Sequence, residues 1–347
     1  MPVAFKVLGT GPPVLRYDPT MLALVPVAAA LASISVILLL LRRSDQLPLD
    51  HPNERSLHVR PVPRVGGVGI LSGTLLAFAL LRAEPLLAAL VAALGVMSYL
   101  DDRSHLPIAA RFGAHALAAA VFVLAAAPDM HPAWQAVLAV ATMWLTNLYN
   151  FMDGSDGLAG GMALFGFGAC ALGAWLAGDA VFAVVAASVA AAAAGFLVFN
   201  FPPAKVFMGD AGSIPLGFLA AALGILGWHA GYWPLWFPVL VFSPFIIDAS
   251  LTLARRLLRG ERVWRAHRSH YYQRLVQLGW GHRNTALAEY ALMAACGGLA
   301  LWALGQPLAL QWATVGVTIV AYLVLAALVD LAWRRHSRSP EEDAPAS

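Results

Sequence analysis

Apolar residues run along this chain in long blocks, and the polar stretches between them alternate between short and long. A membrane-spanning helix needs about 20 mostly apolar residues. About eleven blocks approach that length: 21–41, 65–82, 85–100, 111–127, 132–150, 158–177, 180–199, 212–229, 234–257, 286–304 and 308–333. The tight connections fall at 83–84, 128–131, 178–179, 230–233 and 305–307. The longer, polar ones fall at 42–64, 101–110, 151–157, 200–211 and 258–285. The pattern predicts an all-α polytopic membrane protein. Residues 1–20 form an extracytoplasmic segment, 21–333 a transmembrane domain and 334–347 a disordered cytoplasmic tail.

Composition agrees, with 60% apolar and only 12% charged residues, where soluble domains carry about 25% charged. The two cysteines, Cys170 and Cys296, lie inside apolar runs without metal-ligand spacing and read as small buried residues. No cleavable signal peptide is expected. The first apolar run ends on Arg42-Arg43, which reads as an uncleaved first helix with its charged end inside.

Charge placement fixes an orientation. Of the 22 Lys and Arg residues, only Lys6, Arg16 and Arg82 fall on the side of the short connections. By the positive-inside rule the long loops and the C-terminus are cytoplasmic and the N-terminus is outside. The polar chemistry therefore sits on one membrane face. A transporter would be expected to carry its site near the midplane, on interrupted helices. A one-sided site suits an enzyme that joins a soluble substrate to a lipid.

Each long loop carries a constellation. In the first, Arg55, Arg60 and Arg64 precede Gly66-Gly67. Arginine forks and glycine N–H groups suit a phosphate, and anchoring on anionic lipid is the alternative. In the second, Asp101-Asp102 suits a hard metal or proton abstraction, or is a solvated helix end or a pair with Arg103. In NLYNFMDGSDGLAGG, Asn147, Asn150, Asp153 and Asp156 recur every three residues, and Gly154 and Gly157 suggest a turn. Oxygen ligands alone suit Mg²⁺ or Mn²⁺ rather than zinc; capping side chains in a polar loop are the alternative. In FNFPPAKVFMGDAGSIPLGF, Asp210 either holds a metal or, with Ser213, caps the following helix. In RVWRAHRSHYYQRL, His267 and His270 with Arg262, Arg265, Arg268 and Arg274 suit an anionic phosphate, or a patch on lipid headgroups. Asp248 lies inside the ninth block, a costly place for an acid. It is expected to meet Arg255, Arg256 or the edge of the site. His115 is expected to make a satisfied polar contact.

Together HPNERSLH with RPVPRVGG, YLDD, NLYNFMDGSDGLAGG, FNFPPAKVFMGDAGSIPLGF and RAHRSHYYQRL resemble the polyprenyl-phosphate N-acetylhexosamine-1-phosphate transferases (glycosyltransferase family 4) over about 20–330. The likeness is to the WecA and WbpL types, and beyond them to the MraY type. It implies a multi-pass enzyme of the bacterial inner membrane. Such an enzyme moves N-acetylhexosamine-1-phosphate from a UDP-sugar to undecaprenyl phosphate, releasing UMP, with Mg²⁺ or Mn²⁺. UDP-GlcNAc and its 6-deoxy relatives are the implied sugars, and O-antigen or another surface glycan the implied product. A homodimer is one assembly the resemblance allows, and no nucleic-acid partner is implied.

By matched motif position, Asn150 and Asp210 correspond to metal ligands, and Asp101 and Asp102 to the pair for which a base role is proposed. Asp153 and Asp156 correspond to active-site acids, and His267 and His270 to the histidine motif. Asn200, Phe207 and Gly209 correspond to positions around the nucleotide, with Arg64 and Arg265 as the implied basic contacts. His105 replaces a further acid of the paired-aspartate motif, and the triple histidine of the MraY type is lacking. Both departures weaken a peptidoglycan role. The CDP-alcohol phosphotransferases share an acidic DG pattern, but their Arg and two further aspartates are missing here. A non-catalytic lipid transporter is the remaining alternative.

Overall fold

The computed structural model describes residues 17–43, 47–52, 57, 60–104, 106–262 and 267–338. Each expected apolar block is helical: α1 (Pro19–Leu41), α2 (Gly66–Leu81), α3 (Pro85–Ser104), α4 (Ile108–Ala126), α5 (Pro132–Phe151), α6 (Leu158–Leu176), α7 (Ala180–Asn200), α8 (Asp210–His229), α9 (Trp236–Val241), α10 (Ser243–Leu258), α11 (Tyr271–Leu275), α12 (Gly281–Leu304) and α13 (Leu308–Arg338). Among the described residues, 8 helical segments are long and apolar enough to cross a membrane. α2 is apolar but shorter. α5 is of spanning length and carries Gln135, Asn147 and Asn150.

Four expectations are corrected. The ninth block is two helices, α9 and α10, separated at Phe242. Pro244 lies in the first turn of α10, where its missing N–H leaves no helical bond unmade. The connection 258–285 is not all loop: it holds α11 and a π-helical turn, Val276–Trp280, kinked at Gly279 (φ 95°). Residues 334–338, expected in a disordered tail, continue α13. The first long loop contains a small antiparallel hairpin, β1 (Leu49–Asp50) with β2 (Val62–Pro63).

The centre of the bundle is α8, in which every residue from Ala211 to Gly227 is buried. A helix that is apolar all round has to be enclosed by others. Here α5, α3 and α2 surround it. Glycines allow the close approach. A Cβ on Gly217 would lie 2.7 Å from Leu145 O, and one on Gly73 2.3 Å from Ala29 O. Membrane helices pack through such small residues, because lipid is as apolar as a leucine side chain and burial alone drives no association. The outer faces of α1, α4 and α13 expose Leu31, Leu117, Leu124, Val317 and Val320, as lipid contact requires.

Short connections make successive helices antiparallel, so alternate ends gather. The C-terminal ends of α3, α5, α7 and α10 meet the N-terminal ends of α2, α4, α6 and α8. The described residues of all five motifs lie at this one end of the bundle.

Candidate active site

Two motifs far apart in sequence are joined by main-chain hydrogen bonds. Phe207 N donates to Pro63 O (2.8 Å), Gly66 N to Phe207 O (2.9 Å) and Gly67 N to Met208 O (2.8 Å). The amides of Gly66 and Gly67 are therefore spent on backbone carbonyls, not on a phosphate as the sequence suggested. Their lack of a side chain serves packing: a Cβ on Gly67 would sit 2.2 Å from Gly212 N. Phe207 and Gly209 are held in place by this pairing, and Gly209 adopts a left-handed φ of 72°.

The pairing puts Arg64 among acids. Its guanidinium lies 2.7 Å from Asp50 Oδ1 and 3.6 Å from Asp102 Oδ1. Asp101 and Asp102 occupy the last turn of α3. Arg111, at the start of α4, bridges Asp101 Oδ2 and Asp210 Oδ2, both at 2.9 Å. Asp101 Oδ1 also accepts from Leu106 N (2.8 Å). The expected partner Arg103 instead stacks over Tyr99. Asp101 is thus engaged at both oxygens. The side chain of Asp102 is only 3% exposed, and its Oδ2 is buried without a hydrogen-bond partner among the described residues. Asp210 opens α8, where a carboxylate favours the positive end of the helix dipole. Neither Asp210 nor Ser213 caps that helix with its side chain.

The α5–α6 turn carries the four-residue series. Asn147 faces inward, its Oδ1 3.1 Å from His115 Nδ1, and its Nδ2 donates to Met143 O. This is the satisfied contact expected of His115. Asn150, one turn on, is half-buried. Asp153 is pushed up to about 7, first by desolvation and then by the negative charge of Asp210, with Arg64 opposing. Asp156 Oδ2 accepts from Ala204 N (2.9 Å). Asn200 clamps two loops: its Oδ1 accepts from Gly157 N (2.9 Å) and its Nδ2 donates to Val206 O (2.8 Å). His282, on α12, forms a second clamp. Its Nε2 donates to Leu57 O (3.2 Å), which makes Nδ1 the acceptor from Ser155 Oγ (2.9 Å) and Asp156 N (3.3 Å).

The histidine motif closes over this turn. Tyr272 donates its hydroxyl to Phe151 O (3.2 Å), and a Cβ on Gly154 would lie 2.2 Å from that hydroxyl. His270 is buried, with its ring 4.8 Å from that of His267. His267 is half-buried, and its Nδ1 is paired with Ser269 Oγ (2.9 Å). Burial, then the neighbouring His270, pulls His267 down to about 4. The basic cluster is smaller than the sequence suggested. Arg274 is buried and pairs with Asp330 of α13 (2.8 Å), as does Arg255 (2.5 Å). These two tie the last helix to the loop. Arg256 pairs with Glu261. Arg265 and Arg55 lie outside the described residues. Of the partners expected for Asp248, Arg255 and Arg256 pair elsewhere and the edge of the site is the one it meets. It meets His270 (3.2 Å).

The structure thus brings Arg64, Asp102, Asp153 and Asp210 into one field, with Asp101 joined to Asp210 through Arg111; Asp156 is held apart by Ala204 N and His282, and the histidines lie on the adjoining loop. Sequence reasoning missed Asp50, Arg111 and His282. Arg111 and His282 each stand at the start of a helix, as a lone basic or aromatic polar residue that anchoring explains equally well. Among the described residues no three His, Cys, Asp or Glu side chains form a ready metal cage. Mg²⁺ seldom uses one; it takes one or two carboxylates with water and substrate phosphate. The donor set fits that habit: Asp210 and Asn150 offer oxygen alone, and Asp102 Oδ2 lacks a partner.

Comparison with known proteins follows the same lines. The profile of glycosyl transferase family 4 matches residues 85–228. A decaprenyl-phosphate N-acetylglucosaminephosphotransferase of Mycobacterium tuberculosis is 30% identical over 294 residues, covering 69% of this chain and 72% of that protein. A probable undecaprenyl-phosphate N-acetylglucosaminyl 1-phosphate transferase of Bacillus subtilis is 28% identical over 266 residues (70% and 74%). The undecaprenyl-phosphate alpha-N-acetylglucosaminyl 1-phosphate transferase of Escherichia coli K12 is 25% identical over 314 residues (82% and 84%). Fold, site and relatives define a multi-pass membrane enzyme that transfers a sugar phosphate. The chain belongs to glycosyl transferase family 4.

Proposed function

We propose that this enzyme transfers N-acetylhexosamine-1-phosphate from a UDP-sugar to undecaprenyl phosphate at the cytoplasmic face of the bacterial inner membrane. UDP-GlcNAc or a 6-deoxy relative is the donor, and surface-glycan initiation the role. About eleven spans, with the N-terminus outside and the C-terminus in the cytoplasm, carry the site. The positive-inside charge pattern supports that orientation. The observation that carries the reading is the convergence of five motifs at one end of the bundle. There, the buried, unpaired Asp102 Oδ2 faces a field shared by Arg64, Asp153 and Asp210.

In the reaction an oxygen of the lipid phosphate attacks the β-phosphorus of the UDP-sugar. A new O–P bond forms, the bond from the β-phosphorus to the bridging oxygen breaks, and UMP leaves with the electron pair. A phosphate monoester has a second pKa near about 6, so the nucleophile is mostly a dianion at neutral pH. A base therefore completes deprotonation and positions the nucleophile more than it supplies the rate. Of the two adjacent acids, Asp102 has the oxygen for that role, because both oxygens of Asp101 are engaged. Arg64 lies where it can offset diphosphate charge, and His267 and His270 stand beside the nucleotide phosphates. Mg²⁺ or Mn²⁺, held by Asp210 and Asn150, would add charge neutralisation on the diphosphate as UMP leaves.

The test is UMP release by purified protein given undecaprenyl phosphate, Mg²⁺ and a panel of UDP-N-acetylhexosamines. Release with at least one sugar, and its loss in Asp210→Asn, is the expected result. No release with any sugar would favour the non-catalytic transporter, and full activity in Asp210→Asn would sink the metal assignment.

A further inference from the structure

Asp248 is buried within α10, and an acid at that depth persists only where its charge is answered. Its answer comes from the loop that carries the histidine motif. Oδ1 accepts from Thr252 Oγ1 (3.1 Å) and from Tyr271 N (2.9 Å) and lies 3.2 Å from His270 Nδ1; Oδ2 accepts from Tyr272 N (3.0 Å). Arg255 and Arg256 point to other acids, so the imidazole is the group beside Asp248 that can carry positive charge. The Nδ1 edge of the ring faces Asp248, and the His270 side chain also accepts from the backbone N–H of Gln273 in a capping box. The ring is held on its faces as well. It lies 4.8 Å from the ring of His267 and stacks at 5.8 Å on Tyr272. Gln273 fastens the backbone of His270, its Oε1 accepting from His270 N (3.1 Å). Tyr272 in turn reaches the α5–α6 turn through Phe151 O. Asp248 thus sets where His270 stands relative to the acids.

We propose that Asp248 is a positioning residue for the transfer: it fixes where the ring of His270 stands, and so which edge of that ring is offered to the sugar nucleotide. The proposal rests on the transferase reading above and assigns a part that neither anchoring nor simple capping describes. A cap would stabilise the loop whether or not residue 270 were a histidine. A positioning residue acts only through that ring.

A double-mutant cycle on kcat/KM for UMP release separates the two, with Asp248→Asn, His270→Ala and the double variant compared at equal thermal stability. Asp248→Asn is expected to lower kcat/KM about 10- to 100-fold, the worth of one charge-assisted hydrogen bond. In the His270→Ala background the same change is expected to add less than about 2-fold, because the residue through which it acts is gone. Losses that multiply across the cycle would overturn the proposal and leave Asp248 a cap. If Asp248→Asn cannot be recovered folded, Asp248→Glu takes its place with the same two outcomes. A wild-type chain that releases no UMP overturns the transferase reading instead. The cycle is then read on the rise in thermal midpoint given by UDP-GlcNAc, with non-additive losses supporting the positioning role and additive ones ending it.

Discussion

Gly209 has a φ of 72°, and a Cβ there would lie 2.9 Å from Asp102 Oδ2. A side chain would therefore meet both a strained backbone and a carboxylate that has no room to move. Gly209→Ala is expected to destabilise the protein by roughly 1–2 kcal/mol and to lower UMP release more than that loss of folded protein explains. Activity per folded molecule, measured after thermal-stability correction, checks this, and an unchanged value would refute it. His267 gives a pH dependence whose sign follows from its environment. Its ordinary value is 6.5 and in the fold it lies at about 4. Below 6.5 the unfolded chain takes up a proton that the folded chain refuses, so this residue lowers stability progressively between pH 6.5 and 4 and costs nothing at pH 7. The thermal midpoint of the wild type should fall relative to His267→Gln as the pH drops from 7 to 4.5. A difference that stays constant over that range would contradict the assignment.

At the scale of elements, the site is made by loops that are sewn to one another. Residues 63–67 pair with 207–208, Asn200 joins Gly157 to Val206, and His282 on α12 reaches both Leu57 and the Ser155–Asp156 backbone. Removing one stitch should loosen two loops together. His282→Ala is expected to speed amide hydrogen exchange around Leu57 and around Asp156 at once, at a cost of about 1–3 kcal/mol, while α8 keeps its protection. A change confined to α12 would show that the clamp holds nothing. This sewing also explains what was legible in advance. The long apolar helices were visible because apolar blocks of that length have few other readings, and the acids were visible because charge is rare in such a chain. The break at Phe242, the short helix α11 and the π-helical turn were not. Each is set by what it packs against: α11, for example, begins where Asp248, over 20 residues earlier, accepts from the N–H groups of Tyr271 and Tyr272. Arg111 was missed for the same reason. Its role is fixed by Asp210, which is 99 residues away, and nothing near it in sequence announces the pairing.

For the molecule as a whole, the consequential feature is that all this chemistry is gathered at one end of a lipid-facing bundle. The basic residues sort to that same end, so charge and chemistry predict one orientation. The two native cysteines, Cys170 and Cys296, are buried, so introduced cysteines can report sidedness against little background. Asp129 lies exposed on the short α4–α5 connection, and Arg259 lies exposed after α10, at the end that holds the site. In sealed right-side-out vesicles a membrane-impermeant maleimide should label Asp129→Cys and spare Arg259→Cys; in inverted vesicles the pattern should reverse. The same inverted vesicles should release UMP when UDP-sugar is added outside, because the site then faces the bath. Right-side-out vesicles should release none until they are permeabilised. A site near the midplane with alternating access would let the donor act from either side. Labelling of both cysteines in one vesicle orientation, or UMP release from both preparations while sealed, would therefore overturn the one-sided arrangement on which the proposed reaction depends.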